Sequence, residues 1–128
     1  LISSYSDTHI TVDNQPFFVK GMNCCYSPIG ANYAYSLWLQ PEETIKLALD
    51  QDMTRLKNIG INALRIYTGI PAKWIEYIYD NYGIYTVLNH YGGCYGVMLD
   101  GKWNPTTDYG DSLSQKVVLT EIAALAKT

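Results

Sequence analysis

Two hydrophobic periods alternate along this chain, one of two residues and one near 3.6. The first governs His9 to Val12 and Pro16 to Lys20, where I-T-V and F-F-V flank the turn-forming cluster Asp13-Asn14-Gln15 and predict a short hairpin. Gly21 to Cys25 is a brief apolar stretch suited to the first core strand, and Ser27 to Tyr35, rich in Gly, Asn, Pro and Tyr, reads as loop. The period then lengthens. Ile45, Leu49, Met53, Leu56 and Ile59, broadened by Leu47 and Ala48, predict an amphipathic helix. It is entered through Pro41, carries Glu42 and Glu43 at its positive end, and stops at Gly60 as a left-handed cap. Ile61 to Tyr67 is a strand in which Ala63 suits a tight contact. Trp74, Ile75, Ile78 and Tyr79 mark a second helix, opened by Pro71 and capped by Gly83, and Ile84 to Leu88 form the next strand. Tyr91 to Asp111 is a connection of about twenty residues, beyond ordinary length and therefore expected to be functional or to pack as its own small unit. Asp111 caps a last helix whose stripe is Leu113, Val117, Val118, Ile122 and Leu125.

Two glycine-capped helices, each feeding a strand within a residue or two, describe successive β/α units with parallel strands. Parallel strands are normally buried on both faces, so an open three-stranded sheet with helices on one side would leave the other bare. A stretch of closed barrel resolves this, because the remaining strands fill its inner face. The expected fold class is α/β: the N-terminal part of a (β/α)8 barrel with about three β/α units. Residues 1–20 form a leading β-hairpin and residues 21–128 the first half of the barrel. A full barrel takes roughly 250 residues, about twice this chain.

Composition narrows the partners. The chain is 48% hydrophobic, as a folded domain requires, and its nine basic against twelve acidic residues leave a net charge of -3 with no basic patch for a phosphate backbone. No nucleic-acid partner is expected, and no apolar run approaches the roughly 20 residues that span a bilayer. The start, L-I-S-S-Y-S-D, has no signal-peptide pattern and begins with Leu, so upstream sequence, a removed leader included, is expected. The compartment is not fixed by this, with a periplasmic or secreted setting favoured. Cys24, Cys25 and Cys94 are odd in number and unlike a disulfide framework; buried free thiols are expected, with a bridge from Cys94 to Cys24 or Cys25 as the alternative.

The chemistry-bearing residues gather at predicted strand ends. Alternation sets Arg65 opposite Leu64 and Ile66, pointing into a barrel near its active-site end, or else outward as an ordinary surface Arg. Asn89 and His90 lie where a parallel strand runs out; they suit either hydrogen bonds to ligand hydroxyls or capping of the strand. No second His or Cys stands at metal-ligand spacing from His90, and no phosphate-cradling glycine motif or nucleophile elbow occurs, so no metal or cofactor is expected. Trp38, Tyr91, Trp103, Tyr26, Tyr33, Tyr35 and Tyr95 fall in loops, where aromatic faces offer contact area at low entropy cost. Tyr77, Tyr79 and Tyr82 suit packing between helices. Of the carboxylates, Glu42, Glu43, Asp50, Asp52, Glu76 and Glu121 are helical, Asp100, Asp108 and Asp111 belong to the long connection, and none stands at a strand end.

The segment from Gln15 to Asn23, Q-P-F-F-V-K-G-M-N, resembles the entry into the barrel of retaining (β/α)8 glycoside hydrolases. It is most similar to the family containing β-galactosidases and β-glucuronidases, and more loosely to cellulase-like and glucanosyltransferase-like families. Asp52 to Tyr67 looks like their first helix and second strand, Trp74 to Val87 like the second helix and third strand, and Gly110 to Lys127 like the third helix. The resemblance implies a carbohydrate-active enzyme cleaving β-glycosidic bonds through two Glu and a covalent intermediate. It gives Arg65 support of the nucleophile carboxylate, and His90, Tyr91 and Trp103 contacts to an oligosaccharide or glycoside. Neither catalytic Glu is present: no Asn-Glu pair occurs, and both carboxylates are expected beyond this chain, which alone should be inactive. The alternative is a non-catalytic carbohydrate-binding or structural half-barrel, whose exposed sheet would be covered by the rest of a barrel or by self-association.

Overall fold

A computed structural model describes residues 2–6, 9–24, 27–32, 34–67 and 69–127, with the side chains of residues 2–6 and 9 left aside. Its architecture is alternating α/β, with a parallel sheet at the centre and antiparallel strands before and after it. Strands β1 (Ile2–Ser6), β2 (His9–Val12) and β3 (Gln15–Phe17) form an antiparallel sheet. The expected two-armed hairpin thus gains a third strand. Its β2–β3 turn is built on Asp13 and Asn14 at φ 49° and 62°, the paired positive values whose twist suits a two-residue hairpin loop.

The core follows. Strand β4 (Gly21–Cys24), helix α1 (Glu42–Asn58), β5 (Ala63–Ile66), α2 (Ala72–Tyr82) and β6 (Tyr85–Leu88) make a parallel sheet of order β4-β5-β6. Both glycine stops form as the sequence predicts. After α1 the Gly60 N–H bonds to the Lys57 carbonyl and the Ile61 N–H to that of Leu56, with Gly60 at φ 82°. After α2 the Gly83 N–H reaches the Tyr79 carbonyl at φ 68°.

Register divides the sheet into two faces. Leu64 and Ile66 lie against α1 and α2 in a cluster with Ile45, Leu49, Met53, Trp74, Ile78 and Ile84. Leu49, Met53, Leu64, Ile78 and Ile84 are essentially sealed from water, each worth roughly 1.5–3 kcal/mol of burial. The helices are joined by a carboxylate as well. Asp50 Oδ1 accepts hydrogen bonds from the hydroxyls of Tyr77 and Tyr82, both at 2.6 Å, and Lys73 pairs with Glu42 where the helices begin. These two hydrogen bonds, Tyr77 first, hold Asp50 below its ordinary pKa; the bond raises Tyr77, and burial first, then the bond, raises Tyr82. Ile59 and Leu47, expected in the buried stripe, are exposed; Ile59 lies past the last helical turn.

The opposite face carries the rows Gly21–Ala63–Tyr85 and Asn23–Arg65–Val87 and has no helix over it among the described residues. Only its lower end is closed. The Phe17 ring meets Tyr85 edge-on at 5.1 Å, and Val19 lies over Gly21 beside Ala63, which is buried as its small size suggests. Asn62 fastens this closure: its Oδ1 accepts the Lys20 N–H at 2.8 Å and its Nδ2 donates to the Phe18 carbonyl at 2.9 Å, while its backbone bonds to Lys20 and Tyr85. Val19, Ala63, Arg65 and Val87 line a shallow apolar groove of about 310 Å3 above it.

The long connection contains an unexpected hairpin, β7 (Val97–Leu99) and β8 (Lys102–Asn104), turned by Asp100 and Gly101 at φ 47° and 75°. Helix α3 (Ser112–Leu125) starts from Asp111, whose Oδ2 accepts the Ser114 N–H at 2.8 Å. That bond and the one from the Ser114 hydroxyl lower the Asp111 pKa. The third helix rests mainly on β7 rather than serving as a third cover of the sheet. Its inward face is Ser114, Val118 and Leu125 with Glu121 between, while Leu113 and Ile122, expected inside, are exposed. Gly93, whose Cβ would stand 3.1 Å from Val118, lets the helix approach the connection closely.

Candidate functional site

The carboxyl ends of β5 and β6 bring three of the four sequence-predicted site residues into one neighbourhood. Arg65 projects from the uncovered face. One of its terminal nitrogens donates to Asn89 Oδ1 at 2.6 Å, and its guanidinium lies 4.7 Å from the Tyr67 ring centroid. Arg65 has no carboxylate partner among the described residues; a neutral amide and an aromatic face hold it instead. Asn89 is itself fixed by its N–H to the Ile66 carbonyl at 3.2 Å, the last rung between the two strands. Because Arg65 occupies its oxygen, the Asn89 amide nitrogen is left as a donor.

His90 and Tyr91 are stacked, with ring centroids 4.7 Å apart and planes 25° from parallel. The imidazole uses both nitrogens inside the fold. Nδ1 accepts the Gly92 N–H at 2.9 Å, which puts the proton of the neutral ring on Nε2, and Nε2 faces Glu121 Oε2 at 3.4 Å. The same Oε2 accepts the Tyr91 hydroxyl at 3.3 Å. Burial first, and then the Glu121 carboxylate, raise the Tyr91 hydroxyl above its ordinary pKa. His90 is therefore a clamp between a backbone turn and helix α3.

Tyr67, Gly69, Asn89, His90, Tyr91, Glu121, Ala124 and Leu125 enclose a cleft of about 430 Å3. Glu121 is the one carboxylate among them. Helical periodicity shows why it escapes a hydrophobic reading: it stands three residues after Val118 and four before Leu125, on the inward face, at a position that an apolar stripe skips.

Trp103 lies elsewhere. It is on β8 opposite Met98, half-exposed, its indole over Gly96 at a distance no side chain at 96 would allow. Trp38 and Tyr35 pack against the hydrophobic core instead of standing free, and Tyr95 is exposed. Tyr26 and Tyr33 lie outside the described residues, as does Cys25. No disulfide joins Cys24 and Cys94; Cys24 is half-buried, and Cys94 is exposed rather than buried. No group of three or more His, Cys, Asp or Glu positioned for a metal occurs among the described residues, and no described helix is long and apolar enough to cross a membrane.

No protein-family model, curated protein or solved structure matches the chain. Its chemistry is therefore read from its own geometry.

Proposed function

We propose that this chain is the first part of a (β/α)8 barrel of the retaining glycoside-hydrolase type, contributing the strand-end rim that holds a β-glycoside. One observation carries the reading: a parallel β4-β5-β6 sheet has helices on one face and none on the other, and Arg65 rises from that second face beside Asn89 and Tyr67. Parallel strands take cover on both sides, and barrel enzymes collect their ligand contacts at the carboxyl ends of their strands. Arg65 without a carboxylate partner suits a guanidinium awaiting one from a later strand, and Tyr67, Asn89 and Tyr91 offer the ring and amide chemistry that sugars use.

Retaining hydrolysis needs two carboxylates about 5–5.5 Å apart, and the cleft has a single one, Glu121. The two catalytic Glu are thus assigned to chain beyond Thr128. That same single carboxylate favours, as the second reading, a carbohydrate-binding module without catalysis.

The test is hydrolysis of aryl β-glycosides by a longer polypeptide containing this segment, with and without Arg65→Ala, beside the 128-residue chain alone. Turnover is expected only from the longer protein and is expected to collapse on Arg65→Ala. Turnover by the isolated chain would overturn the placement of the catalytic pair, and a longer protein inert toward every β-glycoside would leave the binding module.

A further inference from the structure

Glu121 is the one group in the rim cleft whose two ends are in different circumstances. Its Oε2 accepts the Tyr91 hydroxyl at 3.3 Å and lies 3.4 Å from His90 Nε2. Its Oε1 takes no hydrogen bond from any described residue, and the side chain is about two-fifths exposed to the cleft it lines. The bond from Tyr91 removes part of the rotamer freedom a glutamate ordinarily loses on binding and leaves the other oxygen for a ligand. No Lys or Arg pairs with this carboxylate among the described residues, which leaves its charge for a donor from outside.

The neighbours define that donor. Asn89 presents its amide nitrogen, Tyr67 contributes a ring whose other contact is the Arg65 guanidinium, and Ala124 and Leu125 form an apolar wall. An acceptor, a donor and flat apolar surface within about 430 Å3 suit a small ring bearing several hydroxyls. We infer that Glu121 is a ligand-binding residue of this cleft, its Oε1 accepting a hydroxyl proton from a neutral pyranoside that lies against Tyr67. The inference rests on the carbohydrate reading above and adds to it a residue and a direction. Hydrogen bonds to an ionised acceptor are about twice as strong as neutral ones, so this contact should dominate the polar part of the affinity.

The experiment is an amide-resolved NMR titration of the 15N-labelled chain with methyl β-D-glucopyranoside and methyl β-D-galactopyranoside, carried to tens of millimolar, roughly the range expected of a single weak sugar site. Saturable shifts are expected at Tyr67, Asn89 and His90. Glu121→Ala should weaken binding by roughly tenfold or more, and Glu121→Gln, which keeps size and an acceptor but loses the charge, by at least about threefold. The imidazole 15N spectrum gives a readout independent of ligand: His90 should carry its neutral-state proton on Nε2.

Unchanged affinity in Glu121→Ala would overturn the assignment while leaving a sugar site in the cleft. No binding of either glycoside to the unmodified chain would overturn both the assignment and the carbohydrate reading of the cleft. Where Glu121→Ala loses amide dispersion away from α3, Glu121→Gln decides, and unchanged affinity there overturns the assignment equally.

Discussion

Alanine at Gly96 should cost far more than alanine at Gly101, although both belong to the β7–β8 region and both have positive φ, 123° and 75°. A Cβ at Gly101 meets nothing within 4 Å, so that variant carries only the left-handed penalty of about 1–2 kcal/mol. A Cβ at Gly96 would stand 2.2 Å from the Asn104 carbonyl oxygen and 2.8 Å from the Trp103 indole. Close C···O contacts are normally about 3.3 Å or longer, so the hairpin must open by roughly 1 Å. Adding roughly 1–3 kcal/mol for overpacking to roughly 1–3 for the unfavourable φ gives about 2–6 kcal/mol, a large share of the roughly 5–15 kcal/mol a domain has. Urea denaturation of the two variants, with hydrogen exchange of the Val97–Asn104 amides, separates them. Loss confined to the hairpin and α3 would mark a unit that opens on its own, and loss everywhere a single cooperative fold. Gly96→Ala melting together with Gly101→Ala would refute the close approach.

Ile78, fully buried between α2 and the sheet, should cost about 2–5 kcal/mol as alanine in chemical denaturation, and a cost under about 1 kcal/mol would show that the core is not packed there. Asp50 titrates below 3.8 because Tyr77 and Tyr82 donate to it, and a lowered folded-state pKa gives stability present above the unfolded value and lost as pH falls through the folded one. The thermal-stability gap between wild type and Asp50→Asn should accordingly be full near neutrality and close below pH 3.8; a gap unchanged down to about pH 2 would refute this. The uncovered sheet face, with Val19 and Val87 exposed, should make sedimentation of the 128-residue chain concentration-dependent, and Val87→Glu should reduce the effect. A clean monomer at all concentrations would count against the need for a cover.

The parallel core was legible because its signals are local and redundant. Pro41, Gly60, Pro71 and Gly83 punctuate two helices, and the apolar positions between them keep one period each. The β7–β8 hairpin was missed although Asp100-Gly101 is a strong turn pair, because three-residue strands give too little alternation to register. The stripe assigned to α3 followed hydrophobicity alone, whereas the helix turns Ser114 and Glu121 inward to bonds with Asp111 and Tyr91. Arg65, His90 and Tyr91 stand at the strand ends where the sequence sets them; Trp103 lies apart from them because a sequence does not say which way a long connection folds. Glu121 had no sequence signal beyond its spacing from Val118 and Leu125, since its role comes from a partner 31 positions away.

Asn62 has a consequence for how the chain enters the sheet. By clasping both Phe18 and Lys20 it holds that segment across the amino-terminal end of the uncovered face, away from the end where Arg65 and Asn89 stand. A change at Asn62 would alter none of the groups of the candidate site. It would loosen the floor beneath them.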